Sequence, residues 1–291
     1  MRVLVTGASG QVGSEVVSAV HRLGHDVIAP DRSGLDLMQS SQVEQRVTLL
    51  APDWIINCAA YTQVDRAEDK VEQAMTVNRD SAAALARAAA ACSARLLHIS
   101  TDFVFSGEQS RPYREEDAPG PLGVYGRSKL EGERAVREAL PDAVILRTAW
   151  VYGVRGHNFV RTMLRLAAEG RPLRVVDDQT GSPTWARDIA GVITALMQAG
   201  ASGLYHYTSA GSVSWCGFAS AILSEAMKAG FELRTQTVEP ITTAEYPTPA
   251  SRPEYSVLDT GKIEAELGLS IPDWHDSLVA MLGELYTCET S

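Results

Sequence analysis

The chain has 291 residues, of which 45% are hydrophobic and 21% charged, with a formal net charge of −10 and a pI near 5.1. That length suits one large α/β domain, alone or carrying a smaller one. The acidity argues against binding a phosphate backbone, so no nucleic acid is expected as partner. No apolar run approaches the ~20 residues that cross a membrane, and the opening MRVLVTG has neither the apolar core nor the cleavage site of a signal peptide. Cys58, Cys92, Cys216 and Cys288 are widely spaced without a CxxC, which points to free thiols in a cytoplasmic setting rather than to a disulfide frame or a zinc site.

The first predicted strand, RVLVTG, runs straight into GASGQVG and then into the helical pattern QVGSEVVSAVHRLG. Gly7, Gly10 and Gly13 stand at G-x-x-G-x-x-G spacing: one for a tight turn, one for backbone approach to a pyrophosphate, one for close helix–strand packing. Gln11 and Val12 complete this loop. Free N–H groups at a helix start face phosphate well, so the loop is expected to cradle a dinucleotide. The second strand, HDVIAPD, ends at Asp31 and Arg32, with Asp36 and Leu37 just beyond. An acid there suits the ribose hydroxyls of NADH and an arginine the extra phosphate of NADPH, so both cofactors stay open.

After the helical SSQVEQRVTLL, a third strand, DWIINCAA, puts the small residues Cys58, Ala59 and Ala60 where a nicotinamide half can lie flat. The alanine-rich QAMTVNRDSAAALARAAAACS is expected as a helix packed closely on the sheet. A fourth strand, RLLHIS, leads to Thr101 and Asp102 at its C-terminal end, the edge at which ligands of open α/β sheets bind. VYGRSKLEGE then sets Tyr125 and Lys129 at i and i+4 on one helix face. A phenol with a reference pKa of about 10 is a poor acid, and an ammonium nearby is expected to lower it. The fifth strand, AVILRTAW, closes a βαβ series that predicts a doubly wound parallel sheet of Rossmann type.

Past residue 150 the rhythm changes. NFVRTMLRLAAEG, ARDIAGVITALMQAG and WCGFASAILSEAMKAG read as helices, LRVVDD and GLYHYTS as strands, and DWHDSLVAMLGELY as a final helix. The proline-, serine- and threonine-rich PITTAEYPTPASRPEYS is too long for a connector and is read as a functional loop. Asp177 and Asp178 are read as turn or capping residues. The division expected is an NAD(P)-binding domain over 1–150, with later segments returning to the sheet, and a smaller, mainly substrate-binding domain over 151–291.

The glycine loop, NCAAYT, STDFVF and YGRSK together resemble the extended short-chain dehydrogenase/reductase family. LRTAWVYG, VVDDQTGSPTWARDIA and YPTPASRPEYSVLDTGK narrow the likeness to the dTDP-4-dehydrorhamnose reductases. The resemblance implies hydride delivery from NADPH or NADH to C4 of a 4-keto sugar nucleotide. In it Tyr125 protonates the forming alkoxide, Lys129 binds the nicotinamide ribose and poises the phenol, and Thr101 orients the carbonyl. Asp102 holds substrate or threonine, Trp150 packs on the sugar, Arg252 lies near the pyrophosphate, and Thr62 and Val64 line the same cavity. Phe103 departs from the tyrosine that many relatives carry. Some relatives use a magnesium ion between subunits, which Glu15 could help to bind; no metal is expected here. A monomer or homodimer is expected. The alternatives are another nucleotide-sugar epimerase or 4,6-dehydratase, and a non-catalytic regulatory subunit resembling the β subunit of methionine adenosyltransferase.

Overall fold

The computed structural model describes residues 1–290. Strand β1 (Arg2–Thr6) alternates strictly: Val3 and Val5 join one buried cluster and Leu4 another, so both faces of the strand are covered. Helix α1 (Gln11–Arg22) buries Val16, Ala19 and Val20 along one stripe. The chain continues through β2 (Asp26–Ile28), α2 (Ser40–Leu50), β3 (Trp54–Asn57), α3 (Val64–Ala67) and α4 (Val71–Met75). The alanine-rich stretch is helical as expected, but not uniformly. A π-helical turn over Thr76–Asp80 separates α4 from α5 (Ser81–Cys92) and turns Asn78 inward, while six of the α5 residues from Ala82 to Ala89 are fully buried on the sheet. Next come β4 (Arg95–Thr101), a 3₁₀ turn over Asp102–Val104, α6 (Val124–Ala139) and β5 (Val144–Thr148).

The second half builds small strand pairs from β6 (Val151–Tyr152), β7 (Arg174–Val176), β8 (Thr180–Gly181) and β9 (Thr184–Trp185), with α7 (Phe159–Ala168) among them. Then α8 (Ala186–Ala199) and β10 (Gly203–His206) go back to the first sheet. They are followed by β11 (Val213–Ser214), α9 (Trp215–Ala229), β12 (Glu239–Ile241), α10 (Gly261–Leu267) and α11 (Trp274–Thr290). The main sheet has six parallel strands in the order β2-β1-β3-β4-β5-β10. Helices α1 and α8 cover one face; α2, α5 and α6 cover the other. A third core gathers α7, α9, α11, Tyr152 and Trp185 away from the sheet.

This order has one decisive consequence. The chain leaves β1 toward β2 and then crosses back to β3 on the far side, so the carboxyl ends of β1 and β3 form the crevice of an open α/β sheet. Beyond them, the ends of β4 and β5 stand next in line.

Candidate active site

Along that edge the glycine turn comes first. Gly7 has φ +65°, and a Cβ added there would fall 2.7 Å from the Ala59 nitrogen; one added at Gly13 would fall 2.1 Å from the Gly7 carbonyl oxygen. Only glycines allow this approach of helix, turn and neighbouring strand. Gly10 supplies the N-cap of α1 without any side-chain cap, leaving the amides of the first turn to a ligand. Over the turn lies a cavity of about 560 Å³ whose wall includes Gly7, Asp31, Arg32, Asp36, Leu37, Ala59 and Ala60. The cradle fits a dinucleotide, with its pyrophosphate at the turn.

The side chains of the residues expected at the cofactor also make contacts within the protein. The Gln11 Oε1 accepts a hydrogen bond of 3.0 Å from Asn158 Nδ2, tying the loop after β6 to the start of α1. Val12 and Cys58 pack against the core rather than line the cavity. The Asp31 carboxylate accepts from Ser33 Oγ at 2.6 Å and from Gly34 N at 2.9 Å, which hold it below its ordinary pKa and ionised. Arg32 is 80% exposed and lies 3.6 Å from Asp36.

The next two strand ends bring up Thr101, Asp102, Tyr125 and Lys129. Tyr125 opens α6, whose first amide, Val124 N, donates to Glu68 Oε1 at 2.8 Å. Asn78 Nδ2 donates to Ser128 Oγ at 2.9 Å, and Ser128 Oγ donates to the Tyr125 carbonyl at 2.8 Å, so the π-turn and the first turn of α6 are stitched together. Phe103 meets the Tyr125 ring edge-on at 5.5 Å. Thr101 Oγ1 donates to Asp102 Oδ1 at 2.9 Å and accepts from Phe103 N at 3.2 Å, so it also caps the turn that follows it.

One electrostatic expectation needs correction. Burial pushes the Tyr125 phenol up to about 12; the Thr101 hydroxyl pulls against this and the Asp102 charge adds to it. Lys129 does not act to lower it, because its Nζ donates to the Ile99 carbonyl at 2.6 Å and faces His98 Nε2 at 3.3 Å. Burial brings Lys129 itself down to about 8 and lifts Asp102 to about 6. The phenol therefore holds its proton at neutral pH, as a donor must.

Beyond β5 a second cavity of about 410 Å³ opens between the sheet edge and the third core. Phe103, Trp150, Trp215, Arg174, Arg252 and Ser256 are among its walls. Trp150 has φ +46°, uncommon for a bulky residue, and stacks on Trp215 with centroids 3.5 Å apart, so one of its faces is already used. Arg252 is held rather than solvated: Nη2 donates to Asp65 Oδ2 at 2.9 Å and Nη1 to the Ala250 carbonyl at 3.0 Å. Thr62, which is exposed, and Val64, which opens α3, line neither cavity. Asp177 and Asp178 make long-range structural contacts, accepting from Ser214 Oγ and from Thr243 N respectively.

A family model described as the RmlD substrate binding domain matches residues 1–287. A dTDP-4-dehydrorhamnose reductase of Escherichia coli K12 is 41% identical over 99% of both chains, and one of Burkholderia thailandensis is 44% identical over 94% of this chain and 95% of its own. The crystal structure of a dTDP-4-dehydrorhamnose reductase from Bacillus anthracis in complex with NADP superposes with a TM-score of 0.92 at 38% identity, covering 97% of this chain and 99% of that one. The chain belongs to the dTDP-4-dehydrorhamnose reductase family. Several residues of this reductase site carry no local sequence signal. Glu68 and Asn78 anchor α6, Asp65 holds Arg252, and Trp215 stacks on Trp150. Arg155 reaches the dinucleotide cavity from the loop after β6. Only Trp215 could have been flagged, as an aromatic beside a Ser N-cap.

Proposed function

We propose that this chain reduces the C4 keto group of dTDP-4-dehydrorhamnose to dTDP-L-rhamnose at the expense of NADPH or NADH. One observation carries the reading: on α6, Tyr125 meets Phe103 of the aromatic and cationic cavity and Lys129 holds the Ile99 carbonyl of β4, the strand next to those whose ends frame the dinucleotide-shaped cradle, although neither side chain lines a cavity itself. When bound in the first cavity, the reduced cofactor supplies a hydride. The chain's own residues do the rest. Gly7, the open amides of α1 and Asp31 hold the dinucleotide, and Arg252 offers the sugar nucleotide's diphosphate the donors left over from its bonds to Thr248, Ala250 and Asp65. The Trp150–Trp215 wall receives the sugar. Tyr125, protonated at neutral pH, gives its proton to the oxygen at C4 as negative charge develops there. Thr101 gives its one hydroxyl hydrogen to Asp102 at 2.9 Å and shares that oxygen's hydrogen bonding by turning it from Asp102 to the substrate. In this reading residues 1–150 together with 186–206 hold the cofactor, most of 151–291 holds the nucleotide sugar, and the enzyme works in the cytoplasm as a monomer or homodimer.

The test is a panel of 4-keto nucleotide sugars with NADPH and NADH, read as loss of reduced-nicotinamide absorbance, repeated with Tyr125→Phe. Stoichiometric oxidation of cofactor only with the dTDP-linked 4-keto-6-deoxy sugar is expected, and the variant should lose roughly 10²–10⁴-fold in kcat with its dinucleotide affinity intact. Interconversion of sugars without net cofactor consumption would indicate an epimerase instead, and equal turnover by the variant would remove Tyr125 from the proton-donor role.

A further inference from the structure

A row of polar side chains runs beneath the strand ends. In register across three strands, Thr6 of β1 pairs with Asn57 of β3, and Asn57 with His98 of β4. Their side chains continue the row: Thr6 Oγ1 donates to Asn57 Oδ1 at 2.6 Å, Asn57 Nδ2 meets His98 Nδ1 at 2.8 Å, and His98 Nε2 faces Lys129 Nζ at 3.3 Å. All four are at most 2% exposed.

The protons in this row can be assigned from its ends. Ala59 N, which can only donate, also points at Asn57 Oδ1, at 3.2 Å, so that atom is the amide oxygen and Nδ2 must donate to His98 Nδ1. His98 then accepts at Nδ1. Burial, with the Lys129 charge beside it, holds its pKa well below the ordinary value, so it is neutral and its single proton sits on Nε2. That N–H is aimed at Lys129. An ammonium has no lone pair with which to accept it, whereas a neutral amine has one.

The two acidic neighbours, Glu133 and Cys58, favour the charged amine, and burial outweighs them. On β4 the Ile99 carbonyl accepts one Lys129 hydrogen at 2.6 Å. From the end of β3 comes Cys58, whose buried thiol is pushed up to about 12 and carries no charge at neutral pH. On α6 itself lie Tyr125, protonated, and Glu133, whose carboxylate is spent on Arg147 of β5 through bonds of 2.8 and 2.6 Å.

We propose that His98, locked by Asn57 as the Nε2–H tautomer, is a positioning residue that holds the Lys129 amine in place and weakens its grip on its proton, so that His98 sets the alkaline limit of turnover. The part concerning turnover rests on the reductase reading; the part concerning Lys129 does not.

The chain has only four lysines, Lys70, Lys129, Lys228 and Lys262, so protein labelled with lysine ¹³C at Cε gives a resolvable NMR titration, with Lys129→Arg to assign the signal. Lys129 should titrate near 8, about two units below an ordinary lysine at ~10.4. His98→Asn keeps an acceptor for Asn57 and empties the Nε2 position; His98→Gln places an amide oxygen within reach of Lys129. Both should raise the Lys129 midpoint by about a unit or more, and the alkaline limb of kcat should move with it. At pH 9 the wild type should keep about a tenth of its plateau rate and a variant shifted by one unit about half. Lys129 titrating with the other lysines in the wild type, or a midpoint unmoved in both variants, overturns the proposal. A pH profile unmoved while the NMR midpoint shifts overturns the claim on turnover. Absence of any turnover, with a low Lys129 midpoint that rises in the His98 variants, refutes the reductase reading and upholds the role of His98 toward Lys129.

Discussion

Replacing Asp102 by asparagine should make the protein more stable at neutral pH and no more stable in acid. Asp102 is 2% exposed, and burial lifts its carboxyl from 3.8 to about 6 against the opposing hydrogen bonds of Ser256 and Thr101. The sign follows from proton counting. Between those two values the folded state binds more protons than the unfolded state, so stability falls as pH rises across the window and is level on either side. Two units at 1.36 kcal/mol each set the loss at about 3 kcal/mol. Asparagine keeps an oxygen to accept from the Thr101 hydroxyl and has nothing to ionise. Urea denaturation of both proteins at intervals from pH 4 to pH 7.5 gives the difference curve, in which every other titrating group cancels. The variant's relative stability should climb by about 2 of those 3 kcal/mol between pH 4 and pH 6.5 and then level off. A flat difference curve would show that Asp102 ionises in the fold as easily as in water, and would undo its description as a strained, buried carboxylate.

Arg155 lines the dinucleotide cavity and has no hydrogen bond or ion pair among the described residues, while its neighbour Gly156 packs on Gln11 at the start of α1. Arg155→Ala should therefore weaken NADPH and NADH alike by roughly tenfold, as loss of one charge-assisted contact to the pyrophosphate does; fluorescence titration showing loss for NADPH alone would place the guanidinium at the 2′-phosphate instead. Arg252→Ala should raise KM for the nucleotide sugar by about tenfold or more, with kcat changed little. An unchanged KM in steady-state kinetics would leave Arg252 with only its partner Asp65 to hold.

What could be read in the sequence was local. The turn at Gly7–Gly13 is specified by glycines three apart between a strand and a helix, and Tyr125 and Lys129 reach one helix face because i and i+4 always do. What could not be read came from residues far apart in the chain. Nothing near Lys129 announces that its partners are His98 and the Ile99 carbonyl. For that reason the expectation that it would acidify Tyr125 failed, and burial dominates the phenol instead. The Asp65–Arg252 pair spans 187 positions. Gly203–His206 is four residues long and reads equally well as a strand of either half; only its pairing with β5 puts it in the main sheet. The π-turn that aims Asn78 at Tyr61 and Ser128 falls on TVNRD, whose weak helix formers mark an irregularity before the alanine run without naming its partners.

The polar row explains how these distant groups come to act together. Thr6, Asn57 and His98 fall on the sheet face that also carries Leu4, Ile55 and Leu96, because side chains alternate along each strand. That face is covered by α6, and so it is the face that meets Lys129. Each polar residue sits just before a residue that shapes the site: Thr6 one position before Gly7, Asn57 two before Ala59, and His98 one before Ile99, whose carbonyl holds Lys129. The register of three parallel strands thus links the glycine turn to the lysine without any loop between them. A slip of one residue in β3 would turn Asn57 to the opposite face, leave the His98 tautomer unassigned, and move Ala59 off Gly7 in the same step. The dinucleotide cradle and the proton chemistry are therefore set by one structural choice, the pairing of β1, β3 and β4.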